Sequence, residues 1–208
     1  RLLHDVLPVL IQQSPNAILL ILSNPVDVLT YYAIQWSGLP HSRVIGSGTL
    51  IDSARFRMML SEDLGIHPDD LRAYILGEHG SSQFPAMSVA VAGGEHITDN
   101  EDRRQIFENA RQAGMEIFRF KGYTNYAISM AAAAIIESIA RDERHTMPVS
   151  TLITGYQGVD DVCLSLPVVI GREGIARVLR PELSEKEAQA FRESAKAVRE
   201  GIEESALD

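Results

Sequence analysis

The chain has 208 residues, of which 45% are apolar and 23% charged, enough apolar side chain to fill a core and to exclude a mainly disordered protein. Its single cysteine, Cys163, excludes an internal disulfide and is typical of a reducing compartment. Apolar runs such as residues 17–22 are too short to cross a bilayer, and the net charge of −9 argues against nucleic-acid or anionic-membrane partners.

The first 46 residues predict the end of a parallel βαβ unit. The chain opens, without Met, on an amphipathic helix over residues 2–11, in which Pro8 is expected to disturb the hydrogen bonding. Residues 17–22 predict a strand covered on both faces. A helix over 25–38, ending at Gly38, and a strand over 43–46 follow. We expect that sequence preceding residue 1 is missing.

The remaining chain predicts a mixed α+β region. Helices are expected over residues 50–64, 100–120, 124–141 and 184–206, and strands over 71–76, 84–92, 149–154, 162–170 and 175–179. The last three strands predict an antiparallel meander joined by glycine-containing turns. The predicted organisation is therefore an α/β remnant of a parallel sheet over residues 1–46 and a second, α+β domain over residues 47–208.

Three helices carry more specific expectations. The helix over 50–64 is expected to face the core with Leu50, Ala54, Met58 and Leu64. The Ala- and Ile-rich helix over 124–141 is expected to be buried centrally. Ser184, with Glu187 three residues later, predicts a capping box at the start of the last helix.

Standard site motifs are absent from the sequence. The six histidines and one cysteine form no Cys-x-x-Cys or His-x-x-x-His pair, so no metal site is predicted. The segment GSGTLI at residues 46–51 approaches the dinucleotide-binding fingerprint, but Ile51 stands where a small residue should allow close helix packing. A tight turn is the favoured interpretation.

Four polar residues are the strongest candidates for a site. Asp52 and Arg55 share one helix face, although this spacing alone favours a surface ion pair. His79 lies between two glycines after an apolar run, although a single His is more often structural. Asn24, which precedes Pro25, would by default only cap a helix. Together, a guanidinium for a carboxylate and an Asp-held His for a proton suit a small acid with a carbonyl or hydroxyl on the adjacent carbon.

Four segments of the sequence resemble the L-lactate/malate dehydrogenase family, most closely its lactate enzymes. They are residues 23–30 (SNPVDVLT), 46–57 (GSGTLIDSARFR), 76–80 (LGEHG) and 121–128 (KGYTNYAI). Their order and separations agree with the family, and the similarity extends from residue 1 to about residue 204. The resemblance implies the end of a Rossmann sheet followed by the family's C-terminal catalytic domain.

The resemblance also implies roles for individual residues. His79 would exchange a proton with the substrate oxygen, Asp52 would hold its imidazole, and Arg55 would bind the substrate carboxylate. Asn24 would contact the nicotinamide ribose and orient the substrate, and the Asn24-Pro25 bond would be cis. Two further residues follow in the fourth segment: Thr124 would line the substrate pocket and Ile128 would press on the nicotinamide ring. The implied cofactor is NAD.

Other features of the family would precede residue 1. These are the Gly-x-Gly-x-x-Gly segment, the acidic residue on the adenosine ribose, and the mobile loop with a second catalytic Arg. The 208 residues alone are therefore expected to bind NAD poorly and to be inactive. The specificity loop is also outside the sequence, so malate and longer 2-hydroxy acids stay open beside the favoured L-lactate, with Ser81 replacing the family's usual Asp.

The resemblance implies further partners. Arg57 matches a position at which bacterial lactate dehydrogenases bind fructose 1,6-bisphosphate, and Arg72 replaces the family's His there; two guanidinium groups could hold a phosphate, and an ordinary pair of arginines is the alternative. A cytoplasmic homo-tetramer is implied, with a dimer as alternative. From another class, a non-catalytic oligomerisation domain with this fold also fits the sequence.

Overall fold

A computed structural model describes residues 2–206, which form a mixed α/β fold of six α-helices and ten β-strands. The helices are α1 (Leu2–Gln13), α2 (Val26–Ser37), α3 (Leu50–Leu64), α4 (Glu101–Lys121), α5 (Tyr126–Arg141) and α6 (Glu185–Ala206). The strands are β1 (Leu19–Ile21), β2 (Val44–Gly46), β3 (Leu71–Arg72), β4 (Ile75–Leu76), β5 (Phe84–Pro85), β6 (Val91–Ala92), β7 (Glu95–His96), β8 (His145–Ile153), β9 (Val162–Gly171) and β10 (Gly174–Val178). The predicted fold class is confirmed.

The main sheet has five strands in the order β1-β2-β8-β9-β10. β1 and β2 are parallel, as expected of strands joined by the helix α2, and β8, β9 and β10 form the predicted antiparallel meander. β8 begins at His145, earlier than the predicted residue 149. β2 pairs with β8 between Gly46 and Ser150, so a strand from residues 1–46 enters the same sheet as strands from residues 47–208.

The turn after β2 packs tightly against this sheet. A Cβ added at Gly46 would lie 2.8 Å from the Cβ of Ser150, and one added at Gly48 would lie 2.5 Å from the Ser150 backbone nitrogen. Gly48 also has a positive φ of 51°, which favours glycine. The two glycines are therefore required by close backbone packing, in agreement with the tight-turn interpretation of this segment.

The continuous strands predicted over residues 71–76 and 84–92 are wrong, because each range contains two separate short strands. β3 and β4 belong to different small sheets, in which β3 pairs with β6 and β4 pairs with β5. A 3-10 turn at Met87–Val89 separates β5 from β6, and β7 after the Gly93-Gly94 turn was not predicted. Two-residue strands are too short to produce a readable alternation of apolar and polar residues, which explains the errors.

The buried face of α3 also differs from the prediction. Ala54 and Met58 are exposed, and the buried residues are Asp52, Ser53, Phe56 and Leu60. The reason is a polar contact with β4. The hydroxyl of Ser53 donates to the carbonyl of Ile75 at 3.2 Å and accepts from its N–H at 2.9 Å, so this small polar side chain satisfies buried backbone and faces inward.

The helix α5 is buried on one face only. Ala131, Ala132, Ile135 and Ser138 are buried, whereas Met130 and Ile136 are 72% and 56% exposed. The expectation of central burial is therefore wrong for the described structure. Within residues 2–206, no helix is both long enough and apolar enough to cross a membrane.

The N-terminal elements agree with the sequence in position but differ in burial. α1 continues through Pro8, and α2 ends at Gly38 in the left-handed conformation. β1 is shorter than the predicted strand, and its residues are only partly buried. The prediction that this strand is covered on both faces is therefore wrong. Pro25, rather than Asn24, occupies the N-cap position of α2, and the Asn24-Pro25 peptide bond is cis, as expected.

The last helix begins as predicted. The backbone N–H of Ser184 donates to the Glu187 carboxylate at 2.9 Å, and the Glu187 N–H approaches the Ser184 hydroxyl at 3.4 Å. These reciprocal contacts form the capping box. Phe191 and Val198 then pack into the core cluster that covers one face of β9.

Candidate active site

A buried carboxylate on α3 joins the two principal candidate residues. Asp52 lies in the first turn of the helix, with its side chain 4% exposed. Its Oδ2 lies 2.8 Å from Nδ1 of His79, and its Oδ1 lies 3.6 Å from Nη1 of Arg55. The structure therefore brings Asp52, Arg55 and His79 together, with one carboxylate between an imidazole and a guanidinium.

The position of His79 follows from the backbone before it. The N–H of Gly77 donates to the Ser165 carbonyl at 3.2 Å, and the Ser165 N–H donates back at 2.8 Å, which attaches the segment to β9. Gly77 has a φ of 90°, and a Cβ there would lie 3.1 Å from that of Ser194. The glycine thus permits a turn that directs His79 toward α3, where its side chain stays 27% exposed.

The environment of His79 favours the protonated imidazole. Burial of the ring acts to lower the pKa of His79, but the hydrogen bond and negative charge of Asp52, with a smaller contribution from Asp27, raise it above the usual value. The free edge of the ring carries Nε2, because Nδ1 is engaged by Asp52. A proton can therefore be held at Nε2 near neutral pH and offered to a bound oxygen atom.

Arg55 is the positively charged group paired with Asp52. Its side chain is 20% exposed and lies beside α4, where a Cβ added at Gly114 would be 3.1 Å from Nη1 of Arg55. Glycine at residue 114 therefore leaves the guanidinium room against the helix. Sequence reasoning missed Gly114; the available signal was its spacing of four residues from the buried Ala110, which marks a narrow helix face.

A second residue missed by sequence reasoning is Asp27, in the first turn of α2. Its Oδ2 accepts the backbone N–H of His79 at 2.7 Å, and the side chain is buried. Burial raises the pKa of Asp27 to about 6, against the opposing effects of the Ser150 hydroxyl and the His79 amide. The Ser150 hydroxyl lies close enough to this carboxylate to act on it, and within residues 2–206 neither Asp27 Oδ1 nor Ser150 Oγ has another hydrogen-bond partner.

The other proposed ligand-binding residues lie at the surface. Asn24 is exposed between β1 and α2, Thr124 is exposed before α5, and Ile128 is partly buried in the first turn of α5. Among the described residues, no hydrogen bond or ion pair connects these three side chains to His79, Asp52 or Arg55.

Arg57 on α3 and Arg72 on β3 lie close to one another. Burial lowers the pKa of Arg57, and the positive charge of Arg72 adds to that effect. Each guanidinium already donates to a backbone carbonyl, Arg57 to Ala73 at 3.4 Å and Arg72 to Asp69 at 2.7 Å. Arg72 and the Asp69 carboxylate are thus both close enough to act on the Arg57 guanidinium, with opposite effects.

Two surface clefts, of about 300 Å³ and 410 Å³, lie away from Asp52, Arg55 and His79. The first is a groove between the beginnings of α4 and α6, and the second borders Arg72 and the Gly93-Gly94 turn. Arg55 and His79 are instead both partly accessible to a ligand, with Asp52 buried between them. A carboxylate can pair with the guanidinium there while the imidazole exchanges a proton.

Comparisons with known proteins give matches over most of the chain. Residues 49–207 match a family model described as the lactate/malate dehydrogenase alpha/beta C-terminal domain. The L-lactate dehydrogenases of Salinibacter ruber and Gloeobacter violaceus are 42% and 41% identical to the chain over 96% and 93% of its length. A solved L-lactate dehydrogenase from Clostridium thermocellum superposes with a TM-score of 0.93 at 38% identity, covering 98% of this chain and 70% of that one. The chain spans about two thirds of the length of the curated relatives, 66% and 62% in these two cases.

Proposed function

The chain belongs to the lactate/malate dehydrogenase family, and on that premise we propose that it is the substrate-binding portion of an oxidoreductase acting on a small 2-hydroxy or 2-oxo acid. The observation that carries the proposal is the shared contact of His79 and Arg55 with the buried carboxylate of Asp52. This contact holds the His79 imidazole, which can donate a proton, beside the Arg55 guanidinium, which can bind a carboxylate. A non-catalytic domain has no requirement for a partly exposed imidazolium with this support.

The proposed mechanism assigns one task to each side chain. Arg55 binds the substrate carboxylate, because a guanidinium offers two parallel N–H donors to it. In the reducing direction, His79 donates the proton on Nε2 to the carbonyl oxygen, and in the oxidising direction it accepts the hydroxyl proton. Asp52 keeps Nδ1 engaged and stabilises the positive ring. The charge on the substrate oxygen is thus neutralised as the hydride reaches or leaves the adjacent carbon.

The proposed cofactor is NAD, which supplies or accepts the hydride when bound. Asn24 and Ile128 would contact its nicotinamide end, and their accessible positions are compatible with that role. The chain offers no pyrophosphate cradle at residues 46–48, since added Cβ atoms at Gly46 and Gly48 would collide with the sheet. The described residues therefore fit the nicotinamide end of the cofactor alone.

The finer parts of the proposal rest on the relatives. L-lactate and pyruvate are the proposed substrates, because the similar proteins named above are L-lactate dehydrogenases. We also propose a cytoplasmic homo-tetramer, and a division at residue 46 between the end of a nucleotide-binding domain and the catalytic domain. Thr124 is proposed to line the pocket around the substrate.

Binding of oxamate, a carboxylate-bearing mimic of pyruvate, tests the proposal without requiring turnover. Calorimetric titration should detect oxamate binding to the wild-type chain and a loss of about 30-fold or more in affinity for Arg55→Ala, because the positive partner of the oxamate carboxylate is removed. Arg103→Ala is the matched control, since Arg103 is similarly buried but pairs with Asp63. Equal affinity in wild type and Arg55→Ala, or no binding to either, would contradict the proposal.

A further inference from the structure

The junction between α4 and α5 carries Thr124 on an exposed segment. α4 ends at Lys121, and Gly122, with a φ of 76°, donates its N–H to the Phe118 carbonyl at 2.7 Å. The side chains of residues 122–127 are all exposed, so none of them is held by the core. A residue that lines a substrate pocket from such a segment needs other contacts to limit the conformations of the chain around it.

The Lys121 side chain supplies three contacts of this kind. Its ammonium nitrogen lies 5.0 Å and 4.6 Å from the ring centres of Tyr123 and Tyr126, within the range of a cation–π interaction. It also donates a hydrogen bond to the side-chain oxygen of Asn125 at 3.3 Å. The three partners are the residue before Thr124 and the two residues after it. One ammonium group therefore contacts the chain on both sides of Thr124.

The Asn125 side chain bonds to Lys121 in place of capping a helix. Asn125 occupies the N-cap position of α5 but makes no side-chain capping bond. At the equivalent position of α4, Asn100 accepts the backbone N–H of Arg103 at 2.9 Å, as an N-cap asparagine normally does. The ψ angle of Asn125 is −51°, against 174° for Asn100. The backbone thus follows the contact with Lys121 rather than the usual capping geometry.

The helix dipole alone does not explain the contacts of Lys121. A positive charge in the last turn of a helix is favoured, and Arg119 provides another one in the same turn of α4. That effect requires a charge near the last carbonyl groups and no contact with residues beyond the helix. Lys121 instead extends over Tyr123 and Tyr126, which both lie beyond α4 and are 55% and 75% exposed.

We propose that Lys121 is a positioning residue for the proposed substrate pocket, whose ammonium group holds the segment around Thr124 in one conformation. This role rests on the proposed function, in which Thr124 lines the pocket. Because Tyr126 is the first residue of α5, the contact also fixes the beginning of the helix that carries Ile128. Without the ammonium, the segment would hold the binding conformation for only part of the time, which weakens ligand binding by that fraction.

Variants of the 208-residue chain test the role of the ammonium. NMR relaxation gives the order parameter of the Thr124 amide, and calorimetric titration gives the affinity for oxamate. In Lys121→Met we expect the order parameter to fall from about 0.85 to below about 0.6. Oxamate affinity should fall about 3-fold or more. Lys121→Arg should restore both values, because a guanidinium group also stacks on aromatic rings.

Two sets of controls separate the contact from the charge. Arg119→Met removes a positive charge from the same turn of α4 and should leave both readouts as in wild type. Tyr126→Leu keeps every charge but removes one ring and should lower both readouts, whereas Tyr126→Phe keeps the ring and should not. The denaturant midpoint of unfolding should be the same in all of these variants, because the substituted side chains are exposed.

An unchanged Thr124 order parameter in Lys121→Met, or an equal loss in Arg119→Met, would overturn the proposed role of Lys121. A loss of order without any loss of oxamate affinity would overturn it as well, because Lys121 would then order the segment without serving the ligand.

These outcomes are distinct from failure of the proposed function. A wild-type chain that does not bind oxamate would overturn the proposed function, whereas a loss of Thr124 order in Lys121→Met but not in Arg119→Met would leave the ordering role of Lys121 in place. Oxamate binding that requires Arg55 but is unaffected in Lys121→Met would have the opposite meaning.

Discussion

The side chains around Asp52 and those at the junction of α4 and α5 differ in how they are held. Asp52 is buried and contacts both His79 and Arg55, each from a different position in the chain. At the junction, Thr124 is exposed, and the contacts are local: the Lys121 ammonium lies 5.0 Å and 4.6 Å from the ring centres of Tyr123 and Tyr126. One half of the proposed site is fixed by tertiary packing, and the other is presented on a surface segment.

This difference determines which substitutions should alter the chemistry of the proposed site. A change at Asp52 must disturb two partners, because its carboxylate is buried between them and cannot be replaced by water. A change at Thr124 removes only the atoms that would touch a ligand. We therefore expect substitutions around Asp52 to have large, pH-dependent effects on ligand binding. Substitutions at the junction of α4 and α5 should have small effects on the free energy of unfolding.

The largest expected effect in this comparison is that of Asp52→Asn. Asparagine still accepts a hydrogen bond from His79, but the negative charge is lost from a bond that, as a hydrogen bond to a charged group, contributes about 1.5–3 kcal/mol in total. Oxamate affinity at pH 7 should fall roughly 10- to 100-fold in a calorimetric titration. Asp63→Asn, which breaks the ion pair with Arg103 at the other end of α3, should bind oxamate like wild type. A weaker effect of Asp52→Asn than of Asp63→Asn would contradict the assignment of Asp52 to the ligand-binding region.

The pH dependence of oxamate binding should be the next largest effect. Because the pKa of His79 is raised, the protonated ring persists above the usual pKa of 6.5, and oxamate affinity should stay constant below the raised value. Above it, affinity should fall about tenfold per pH unit. Protein stability should follow the same pH dependence. The His79–Asp52 contact stabilises the fold below pH 6.5, and this stabilisation is lost as pH rises through the raised pKa of His79. Asp52→Asn should move the fall in affinity to lower pH; a midpoint unaffected by that substitution would contradict the assignment.

The sequence predicted the two halves to different degrees. Asp52 and Arg55 lie on one face of a helix by spacing alone, and the helix bounds agree with the structure. The meeting of Asp52 with His79, 27 residues later, followed only from resemblance to a family, because no local pattern encodes a long-range contact. Periodicity likewise misplaced Ala54 and Met58, because it counts apolar residues and α3 buries polar ones.

Asp27 shows why backbone-mediated contacts are hard to predict. Its partner is an N–H, which every residue except proline carries, so nothing in the sequence identifies His79 as the recipient. The available signal was an acidic residue between the apolar Val26 and Val28 in a helix that follows a buried-type strand. Such a carboxylate in the first turn is favoured by the helix dipole, so its presence there does not by itself indicate a contact with the His79 backbone.

A smaller effect separates the two regions by stability. Thr124→Ala removes an exposed hydroxyl and should change the free energy of unfolding by less than about 0.5 kcal/mol in denaturant titrations. Thr49→Ala is the matched comparison, because the Thr49 hydroxyl is buried and donates to the Ile75 carbonyl beside α3. It should cost about 1–3 kcal/mol. Equal losses for the two variants would show that the junction is packed as firmly as the region around Asp52.

The smallest expected effect concerns Arg57 and Arg72, whose surface belongs to neither half of the proposed site. Each guanidinium is already bonded to a backbone carbonyl, and Asp69 lies nearby, so a phosphate gains little beyond relief of the repulsion between two positive groups. Fructose 1,6-bisphosphate should therefore bind with a dissociation constant of about 1 mM, and Arg72→Ala should abolish that binding, whereas Arg192→Ala on α6 should not. An anion site at this pair would use Arg72, because its guanidinium is the exposed one of the two. Binding that is unaffected by Arg72→Ala, or no binding at about 10 mM ligand, would therefore indicate an ordinary pair of arginines.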